Sequence, residues 1–373
     1  MKENEIFDIA KQFQISGTPV ELKKCENGHI NKTYEVTYEK EDGSKEKYIL
    51  QYVNSDVFGD LERLNTNIIK TTDYIREKAK NSELNLDRIT VKIIKTNDGH
   101  YIYNNNWRMQ RFIENTKTYL STDSTEILYE SGKTIGVFQK YLDGFKADEL
   151  YEIIPNFHYT TGRLNALKES ISSKENNEKR SERFKIAKET IDFATDSSRT
   201  SRVNEITDKL DSKKIPYRVT HNDTKLSNIL FDADTNKAVC LIDLDTVMPG
   251  ALAYDFGEGL RTTVSRSKED EQDLSKINLE LDRFEAFTKG FLEQMKGTIT
   301  KEELGTLTTG LWMMTYENGI RFLADYLNGD TYFHVDKEIK EHNLVRAKAQ
   351  FELLRQIEAN ENKMREVVEK YGL

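Results

Sequence analysis

Apolar and polar residues alternate along much of the first hundred positions, which is typical of β-strands. In NKTYEVTYEKEDGSKEKYILQYV the alternation continues on both sides of Asp42-Gly43, so this stretch predicts a hairpin. A second alternating stretch, ITVKIIKTNDGHYIYNNNWRMQRFI, surrounds another turn at Asn97-Asp98-Gly99. Between the two, DLERLNTNIIKTTDYIREKAK has apolar residues at helical spacing and no helix breaker, so it predicts a helix.

After Glu114 the apolar positions recur mainly at helical spacing. STEILYESGKTIGVFQKYLDGF predicts a helix with Ser121 or Ser124 as its N-cap. Residues 165–214 are highly charged and poor in Gly and Pro, which predicts one or two solvated helices. A short β-rich insert is expected near residues 219–245, and helices are expected to dominate from residue 268 onward.

This order of elements predicts an α+β fold with a small β-rich N-terminal lobe and a larger helical C-terminal lobe. The lobe boundary is expected within Gln110–Thr116, which gives lobes of residues 1–113 and 114–373. The chain has 373 residues, of which 37% are hydrophobic, so it can bury a sizeable core.

Charge and composition exclude several functional classes. The net charge of -9 does not suit general binding to nucleic acid, which depends on Lys and Arg. No stretch reaches the roughly 18 consecutive apolar residues of a membrane span, and the acidic N-terminal stretch is unlike a signal peptide. Cys25 and Cys240 provide neither a disulfide framework nor a zinc site. We expect a cytoplasmic protein that binds a small molecule, and the composition leaves its oligomeric state open.

The stretch VTHNDTKLSNILFD holds His221, Asp223 and Asn228 in the spacing H-x-D-x-x-x-x-N, which kinases use in their catalytic loop. Phosphoryl transfer needs a carboxylate that orients the acceptor hydroxyl and takes its proton, which predicts Asp223 as the base. An amide oxygen can bind Mg²⁺ without adding charge, which suits Asn228, whereas His221 is expected to brace the loop backbone. Lys225 is predicted to neutralise the transferred phosphate, although a solvated surface lysine fits the pattern equally well.

A second carboxylate follows the apolar strand predicted at Ala238–Ile242. Asp243 comes directly after this strand, and Asp245 would lie on the same side of an extended chain, so both are predicted to bind Mg²⁺. The chain also spells D-F-G at Asp255, and protein kinases use that aspartate for metal. No apolar strand precedes Asp255, which opens a helix-like run. We therefore predict that Asp255 has a structural role at a helix start and holds the catalytic loops.

At these residues the chain resembles the aminoglycoside phosphotransferase/choline kinase superfamily, whose fold is protein-kinase-like, and within it the N-acetylhexosamine 1-kinases. The resemblance implies that residues 1–113 bind the nucleotide, that residues 114–373 carry catalysis and the substrate site, and that ATP and Mg²⁺ are the cofactors. The motifs that carry it run in order along nearly the whole chain: GHINKTYEV, YILQYVNSDVF, WRMQRFIENT, PNFHYTTGR, THNDTKLSNILFD, LIDLDTVMPGALAYDFGEGLR and RFLADYLNGDTYF.

By this resemblance, GHINKTY would cover the ATP phosphates, with contacts from Gly28, Asn31 and Thr33. The stretch has one glycine rather than G-x-G-x-x-G, so an ordinary polar turn before a strand is the alternative. Gln110 and Phe112, within WRMQRFIENT, are implied to bind the nucleotide as well.

Gln51 occupies the position where kinases carry a lysine for the α- and β-phosphates. A glutamine can donate a hydrogen bond but adds no charge. Either the nucleotide sits differently, or Lys225 and the metal ions supply the missing positive charge. The N-acetylhexosamine 1-kinases are similar in carrying glutamine there, so the departure affects the expected nucleotide pose more than the expected reaction.

The stretch RFLADYLNGDTYF contains the implied acceptor site. The resemblance implies that Arg321 and Tyr332 surround the sugar, together with Asp223. An arginine can donate to two adjacent hydroxyls, and a tyrosine can stack on the sugar ring. The alternatives are a salt bridge from Arg321 to Asp325 one helical turn away, and packing between the lobes for Tyr332.

The reaction that the resemblance implies is ATP- and Mg²⁺-dependent phosphorylation of the anomeric hydroxyl of N-acetylglucosamine or N-acetylgalactosamine. One alternative is a kinase of the same fold for another small alcohol, such as choline, homoserine, methylthioribose or an aminoglycoside. The other is a non-catalytic nucleotide-binding module, which the missing lysine at Gln51 would suit. The intact base and metal ligands argue against that second alternative.

Overall fold

The computed structural model describes residues 2–25, 30–82, 84–172 and 178–372. It has the α+β architecture that the sequence predicts, with a small antiparallel sheet near the N-terminus and a larger helical part after it. The strands are β1 (Thr18–Cys25), β2 (Lys32–Glu39), β3 (Lys45–Tyr52), β4 (Ile93–Ile94), β5 (Trp107–Arg111), β6 (Thr116–Lys117), β7 (Arg218–Thr220), β8 (Ile229–Asp232), β9 (Ala238–Leu241) and β10 (Met248–Gly250).

The helices of the described residues lie mostly after the first sheet. None of them has a stretch long and apolar enough to cross a bilayer. They are α1 (Glu3–Ala10), α2 (Ser55–Phe58), α3 (Leu61–Ala79), α4 (Thr125–Tyr141), α5 (Thr160–Ser172), α6 (Glu178–Thr195), α7 (Ser197–Thr200), α8 (Thr207–Asp211), α9 (Leu252–Arg261), α10 (Leu281–Met295), α11 (Lys301–Leu304), α12 (Leu307–Leu327) and α13 (His342–Gly372), with 3-10 turns at Ala147–Glu149, Leu226–Asn228, Leu244–Thr246 and Leu274–Lys276.

The N-terminal sheet has the strand order β1-β2-β3-β5-β4, with every neighbouring pair antiparallel. The predicted hairpin is confirmed as β2 and β3, joined at a turn where Gly43 has φ 79°. The second predicted strand pair is shorter than expected. Asn104 and Asn105 adopt left-handed backbone conformations just before β5, which an extended strand does not accommodate.

One face of this sheet packs against α1 in a small apolar core of its own. Ile6 and Phe13 contact residues of β2, β3 and β5 there, including Val36 and Met109. The hydroxyl of Tyr38 donates to the carbonyl oxygen of Ala10 at 2.7 Å, which satisfies a polar group within this core. The N-terminal sheet therefore packs on an apolar core that is separate from the main core of the helical part.

The chain passes from the first sheet to a second one through residues 112–115, where the sequence prediction places the lobe boundary. Here β6 joins β8 and β9, while β7 pairs with β10. Helix α4 begins where predicted, and its N-cap is Ser124, whose hydroxyl accepts the N–H of Ile127. The charged stretch 165–214 contains more helices than predicted, and Leu167 and Ala194 bury its apolar face in the main core.

Helices α9 and α12 pack with their backbones in near contact at Gly257 and Gly310. A Cβ atom on Gly257 would lie 2.3 Å from the carbonyl oxygen of Gly310, and one on Gly310 would lie 2.1 Å from that of Ala253. The glycine of the D-F-G stretch therefore serves helix packing. This contact fixes the first turns of α9, where Asp255 lies, against the core.

Candidate active site

Two loops, one after β7 and one after β9, meet through His221. Its Nε2 donates to the carbonyl oxygen of Ile242 at 2.9 Å, and its Nδ1 accepts the N–H of Asp223 at 3.2 Å. The N–H of Ile242 donates to the carbonyl oxygen of Asn228 at 2.9 Å. The histidine thus has the hydrogen bonds of a loop brace, and the two loops hold their side chains toward one another.

Asp255 supports the first of these loops from the interior of the helical part. Its Oδ2 accepts the N–H of His221 at 2.9 Å and the amide of Gln139 at 2.8 Å, and its Oδ1 accepts the N–H of Asn222 at 2.7 Å. Burial raises the pKa of Asp255, while the neighbouring His221 and these hydrogen bonds oppose that rise. Asp255 lies in the first turn of α9 rather than at its N-cap, and both of its carboxylate oxygens are occupied by protein donors.

Asp223 has one occupied and one open carboxylate oxygen. Its Oδ2 accepts from Nζ of Lys225 at 2.7 Å and from the amide of Asn228 at 2.9 Å. Among the described residues, no hydrogen-bond donor lies on Oδ1. An acceptor hydroxyl could donate to that oxygen and pass its proton to it, which is the geometry that a general base requires.

Lys225 stays in contact with the acidic groups of the site. Burial would lower its pKa, but the charges of Asp223 and Asp243 raise the pKa above its usual value. The ammonium is therefore charged at neutral pH and oriented toward the carboxylates. This arrangement differs from a freely solvated lysine, although its predicted role toward a phosphate stays a prediction.

Asp243 follows β9 in a left-handed conformation with φ 62° and ψ 54°, which is uncommon for a residue other than glycine and is frequent at functional sites. The residue is exposed, although protein atoms lie close enough around it to displace part of the water from its carboxylate. Desolvation there, followed by the negative charges of Asp245 and Asp223, raises the pKa of Asp243 to about 6. Carboxylates crowded in this way favour a bound cation.

The chain after Asp243 forms a 3-10 turn, so the prediction that Asp243 and Asp245 share one side of an extended chain is wrong. Asp245 turns into the interior and is 2% exposed. Its Oδ1 lies 2.6 Å from Nη1 of Arg108 on β5, and its Oδ2 accepts the amide of Asn31 at 2.7 Å. Asp245 therefore connects the first sheet to the loop after β9.

The residues present fit a Mg²⁺ ion. Asn228 uses its amide nitrogen to donate to Asp223, which leaves its amide oxygen for a metal. The carboxylates of Asp243 and Asp245 lie close enough to raise the pKa of the former. No group of three His, Cys, Asp or Glu side chains within the described ranges forms a metal cage. Mg²⁺ keeps several water and phosphate oxygens, so it does not require such a cage.

The predicted nucleotide residues Thr33, Gln51 and Gln110 form one hydrogen-bonded network with Arg108. Oε1 of Gln51 accepts from Nε and Nη2 of Arg108 at 3.0 and 2.8 Å and from the amide of Gln110 at 3.2 Å. The amide of Gln51 donates to the hydroxyl of Thr33 at 3.3 Å. The polar atoms of Gln51 are thus satisfied by protein, and Arg108 brings a positive charge beside it.

Another predicted nucleotide residue, Phe112, lies apart from this network. Phe112 follows β5, and Nζ of Lys47 lies 5.4 Å from the centre of its ring. Gly28, predicted to contact the phosphates, lies outside the described residues.

A second group of polar side chains lies next to the catalytic loop. His158 has its Nδ1 3.0 Å from Oε1 of Glu317 and donates from Nε2 to the carbonyl oxygen of Asn222 at 3.2 Å. The hydroxyl of Thr160 donates to the other carboxylate oxygen of Glu317 at 2.7 Å. Because Asn222 directly precedes Asp223, this group is tied to the proposed base.

Arg321 and Arg163 are the cations of this second group. Burial and then the charge of Arg321 lower the pKa of Arg163, so the two guanidinium groups are close enough to repel one another. Burial would raise the pKa of Glu317, but His158 and Arg321 hold it below its usual value. Within the described residues, no carboxylate lies within ion-pairing distance of Arg321.

The two alternatives for Arg321 and Tyr332 do not fit the structure. Asp325 accepts the backbone N–H groups of Thr331, Tyr332 and Phe333 at 2.9 Å each, so it caps a loop rather than pairing with Arg321. Tyr332 is 71% exposed, and its ring contacts Phe333 edge-on. Its exposure is inconsistent with packing between lobes.

Several residues of the site were missed by sequence reasoning. Arg108 lies in the buried part of β5, and Glu317 lies within an almost wholly buried helix, so each could have been flagged as a charge in an apolar context. His158 and Arg163 belong to PNFHYTTGR, which carried the family resemblance but received no role. The partners of His158 are more than 60 residues away in sequence, and no local pattern encodes them.

Comparison with known proteins is consistent with this arrangement. Residues 21–280 match the sequence profile of the phosphotransferase enzyme family. Solved structures with the same fold include an ethanolamine kinase from Plasmodium vivax, with 15% identity, a TM-score of 0.58, and coverage of 90% of this chain and 84% of that one. A choline kinase from Cryptosporidium parvum matches with 12% identity, a TM-score of 0.57 and coverage of 99% of both chains. A spectinomycin phosphotransferase in complex with ADP and spectinomycin matches with 11% identity, a TM-score of 0.54, and coverage of 95% of this chain and 99% of that one.

Proposed function

The chain belongs to the phosphotransferase enzyme family, and we propose that it transfers the γ-phosphoryl group of ATP to the anomeric hydroxyl of N-acetylglucosamine or N-acetylgalactosamine. The resemblance of several motifs to those of the N-acetylhexosamine 1-kinases supports this acceptor, and the spectinomycin phosphotransferase solved with ADP supports nucleotide use. The observation that carries the proposal is the open Oδ1 of Asp223, which lies on the same loop as the carbonyl oxygen that binds His158.

In the proposed reaction, the anomeric oxygen forms a bond to the γ-phosphorus while the bond from that phosphorus to the β–γ bridging oxygen breaks. ADP leaves, and the hydroxyl proton passes to Oδ1 of Asp223. Lys225 and Asn228 hold Oδ2 of the same carboxylate, so the open oxygen keeps a fixed direction. A base held in a fixed orientation lowers the entropic part of the barrier to proton transfer.

The amide oxygen of Asn228 and the carboxylates of Asp243 and Asp245 would hold Mg²⁺. When bound, Mg²⁺ neutralises negative charge on the phosphates as the γ-phosphoryl group is transferred. After desolvation, the negative charges of Asp245 and Asp223 also raise the pKa of Asp243, and a bound cation would offset this repulsion.

The second group of polar side chains is the proposed binding site of the acceptor, and its charges favour a neutral sugar over a cationic alcohol. Arg163 and Arg321 lie near one another, and the carboxylate of Glu317 beside them already binds His158 and Thr160. Choline and aminoglycosides are cations that need acids or an aromatic cage. The two arginines would repel such cations. The hydroxyls and the N-acetyl oxygen of a sugar can instead accept hydrogen bonds from the arginine N–H groups.

A direct test combines a substrate panel with analysis of the product. The purified protein is given Mg²⁺ and ATP together with N-acetylglucosamine, N-acetylgalactosamine, glucose, choline, ethanolamine, homoserine, methylthioribose or kanamycin, and ADP release is measured. We expect turnover with the N-acetylhexosamines and a product that has lost its reducing end, because the anomeric oxygen carries the phosphate. A product that still reduces, or turnover confined to choline or ethanolamine, would overturn the proposal.

A further inference from the structure

We propose that Arg108 is the nucleotide-phosphate cation of this chain and takes over the task that a lysine on β3 has in other kinases. The inference rests on the proposed use of ATP, and it assigns a role to a residue that the catalytic motifs do not contain. It also accounts for Gln51, the one position in the predicted site where the expected charge is missing.

Strand register brings the two side chains to the same place in the sheet. Gln51 on β3 and Arg108 on β5 are direct partners in an antiparallel pair, so their side chains leave the sheet on the same face. The guanidinium of Arg108 lies against the amide oxygen of Gln51 and donates two hydrogen bonds to it. In this chain the positive charge therefore lies on β5, directly opposite the position on β3 where other kinases carry their lysine.

Gln51 is suited to this arrangement and a lysine is not. A glutamine offers an acceptor oxygen that orients the guanidinium, whereas a lysine has only donors and would add a second positive charge beside Arg108. The glutamine and the arginine therefore act together, and the glutamine is a positioning residue for Arg108.

The Nη1 group of Arg108 donates no hydrogen bond to another described residue. It lies 2.6 Å from Oδ1 of Asp245, but the directions of the two groups do not form a hydrogen bond, and both atoms are buried without another partner among the described residues. The ion pair with Asp245 compensates the charge of this guanidinium, which is 2% exposed, but Nη1 makes no hydrogen bond, and a ligand oxygen could accept one. Phosphate oxygens bind such forks in two parallel hydrogen bonds.

Mg²⁺ could replace Arg108 as the partner of the Asp245 carboxylate. It is a proposed Mg²⁺ ligand and also the counter-ion of Arg108, so the metal ion and the guanidinium compete for one carboxylate. Metal binding at Asp245 would release Arg108 for the phosphates that arrive with the metal. Binding of nucleotide should therefore depend on Arg108 more strongly when Mg²⁺ is present than when it is absent.

The test measures nucleotide binding directly, without acceptor and without turnover. Dissociation constants for ATP and adenosine are measured by titration calorimetry, with and without Mg²⁺, for the wild type, Arg108→Gln, Arg108→Lys, Gln51→Lys and the double variant Gln51→Lys/Arg108→Gln. Arg111→Gln is the matched control, because Arg111 lies on the same strand but pairs with Asp87 at the surface.

We expect Arg108→Gln to weaken ATP binding at least tenfold in the presence of Mg²⁺ and to leave adenosine binding unchanged, since adenosine has no phosphate. Arg108→Lys should retain part of the affinity, and Arg111→Gln all of it. Gln51→Lys alone should weaken ATP binding, because two cations then repel each other. The double variant should recover most of the affinity, because the charge returns to β3.

The affinities of the Arg108→Gln variant for ATP and adenosine decide whether Arg108 binds the phosphates. Equal ATP affinity of the wild type and Arg108→Gln would overturn it, as would equal loss of ATP and adenosine binding in a folded Arg108→Gln protein. If Arg108→Gln does not fold, the double variant decides, because the ammonium that Gln51→Lys introduces can again pair with Asp245. A wild-type protein that binds no ATP would instead reject the proposed function.

Discussion

Asp255 and His221 are joined by a hydrogen bond of 2.9 Å from the backbone N–H of the histidine to the buried carboxylate. The D-F-G stretch of this chain thus supports the catalytic loop from the interior. The side chain of His221 then holds the loop after β9, which begins with Ile242 and Asp243. Asp255 thus supports the loop backbone, and we propose that a different aspartate, Asp243, binds the metal.

Asp255→Ala should lower the free energy of unfolding by on the order of 3 kcal/mol, because three buried donors lose their acceptor. Urea denaturation followed by circular dichroism measures this change. The control is Asp234→Ala, since Asp234 is exposed and accepts a single hydrogen bond from Asn115. A variant that unfolds like the wild type but no longer responds to Mg²⁺ would contradict the structural role.

Asp243→Asn should abolish the stabilisation that Mg²⁺ and ATP together give to the protein. Without metal the variant should unfold at the same temperature as the wild type or a higher one, because removal of one negative charge relieves repulsion with Asp245 and Asp223. Thermal unfolding with and without Mg²⁺ and ATP separates the two effects. An unchanged response to Mg²⁺ would remove Asp243 from the metal site.

Asp223→Asn should reduce kcat by a factor of roughly 10² to 10⁴, the usual contribution of a general base. The dissociation constant for ATP should stay close to that of the wild type, because Asp223 faces the acceptor hydroxyl in the proposed reaction. Steady-state kinetics and nucleotide titration measure the two quantities. Turnover within tenfold of the wild type would show that another group takes the proton.

Arg321→Ala and Tyr332→Ala should raise KM for the sugar by roughly tenfold and leave KM for ATP nearly unchanged, because we propose that both residues bind the acceptor. Arg355→Ala is a matched control, since Arg355 is a surface residue of α13 that pairs with Glu352. A rise in KM for ATP alone would place these side chains on the nucleotide side instead.

Gly257→Ala should cost about 2 kcal/mol of stability, because its Cβ would overlap the carbonyl oxygen of Gly310 and push α9 away from α12. Gly305→Ala offers a control, as the nearest heavy atoms to its Cβ would be 3.6 Å away. Loss of Asp223-dependent activity should follow the loss of packing, since α9 carries Asp255. Equal stability of the two variants would mean that the helices can separate at little cost.

The sequence by itself determined the order of the two parts of the fold and brought together the residues that we predict to be catalytic. The hairpin of β2 and β3, helix α3 and the N-cap at Ser124 follow from side-chain alternation, helical spacing and capping, which act between neighbours in the chain. Asp223 and Asn228 are five residues apart on one loop, so their spacing alone indicated that they act together.

Only the tertiary structure decided which charges meet across the chain. Asp245 was predicted beside Asp243, yet the left-handed backbone at Asp243 turns it toward Arg108, which is 137 residues earlier in sequence (245 − 108). Arg163, Glu317 and Arg321 likewise meet because α5 and α12 pack together. Ion pairs and repulsions depend on distance in space, and alternation or spacing along a sequence carries no information about contacts of that range.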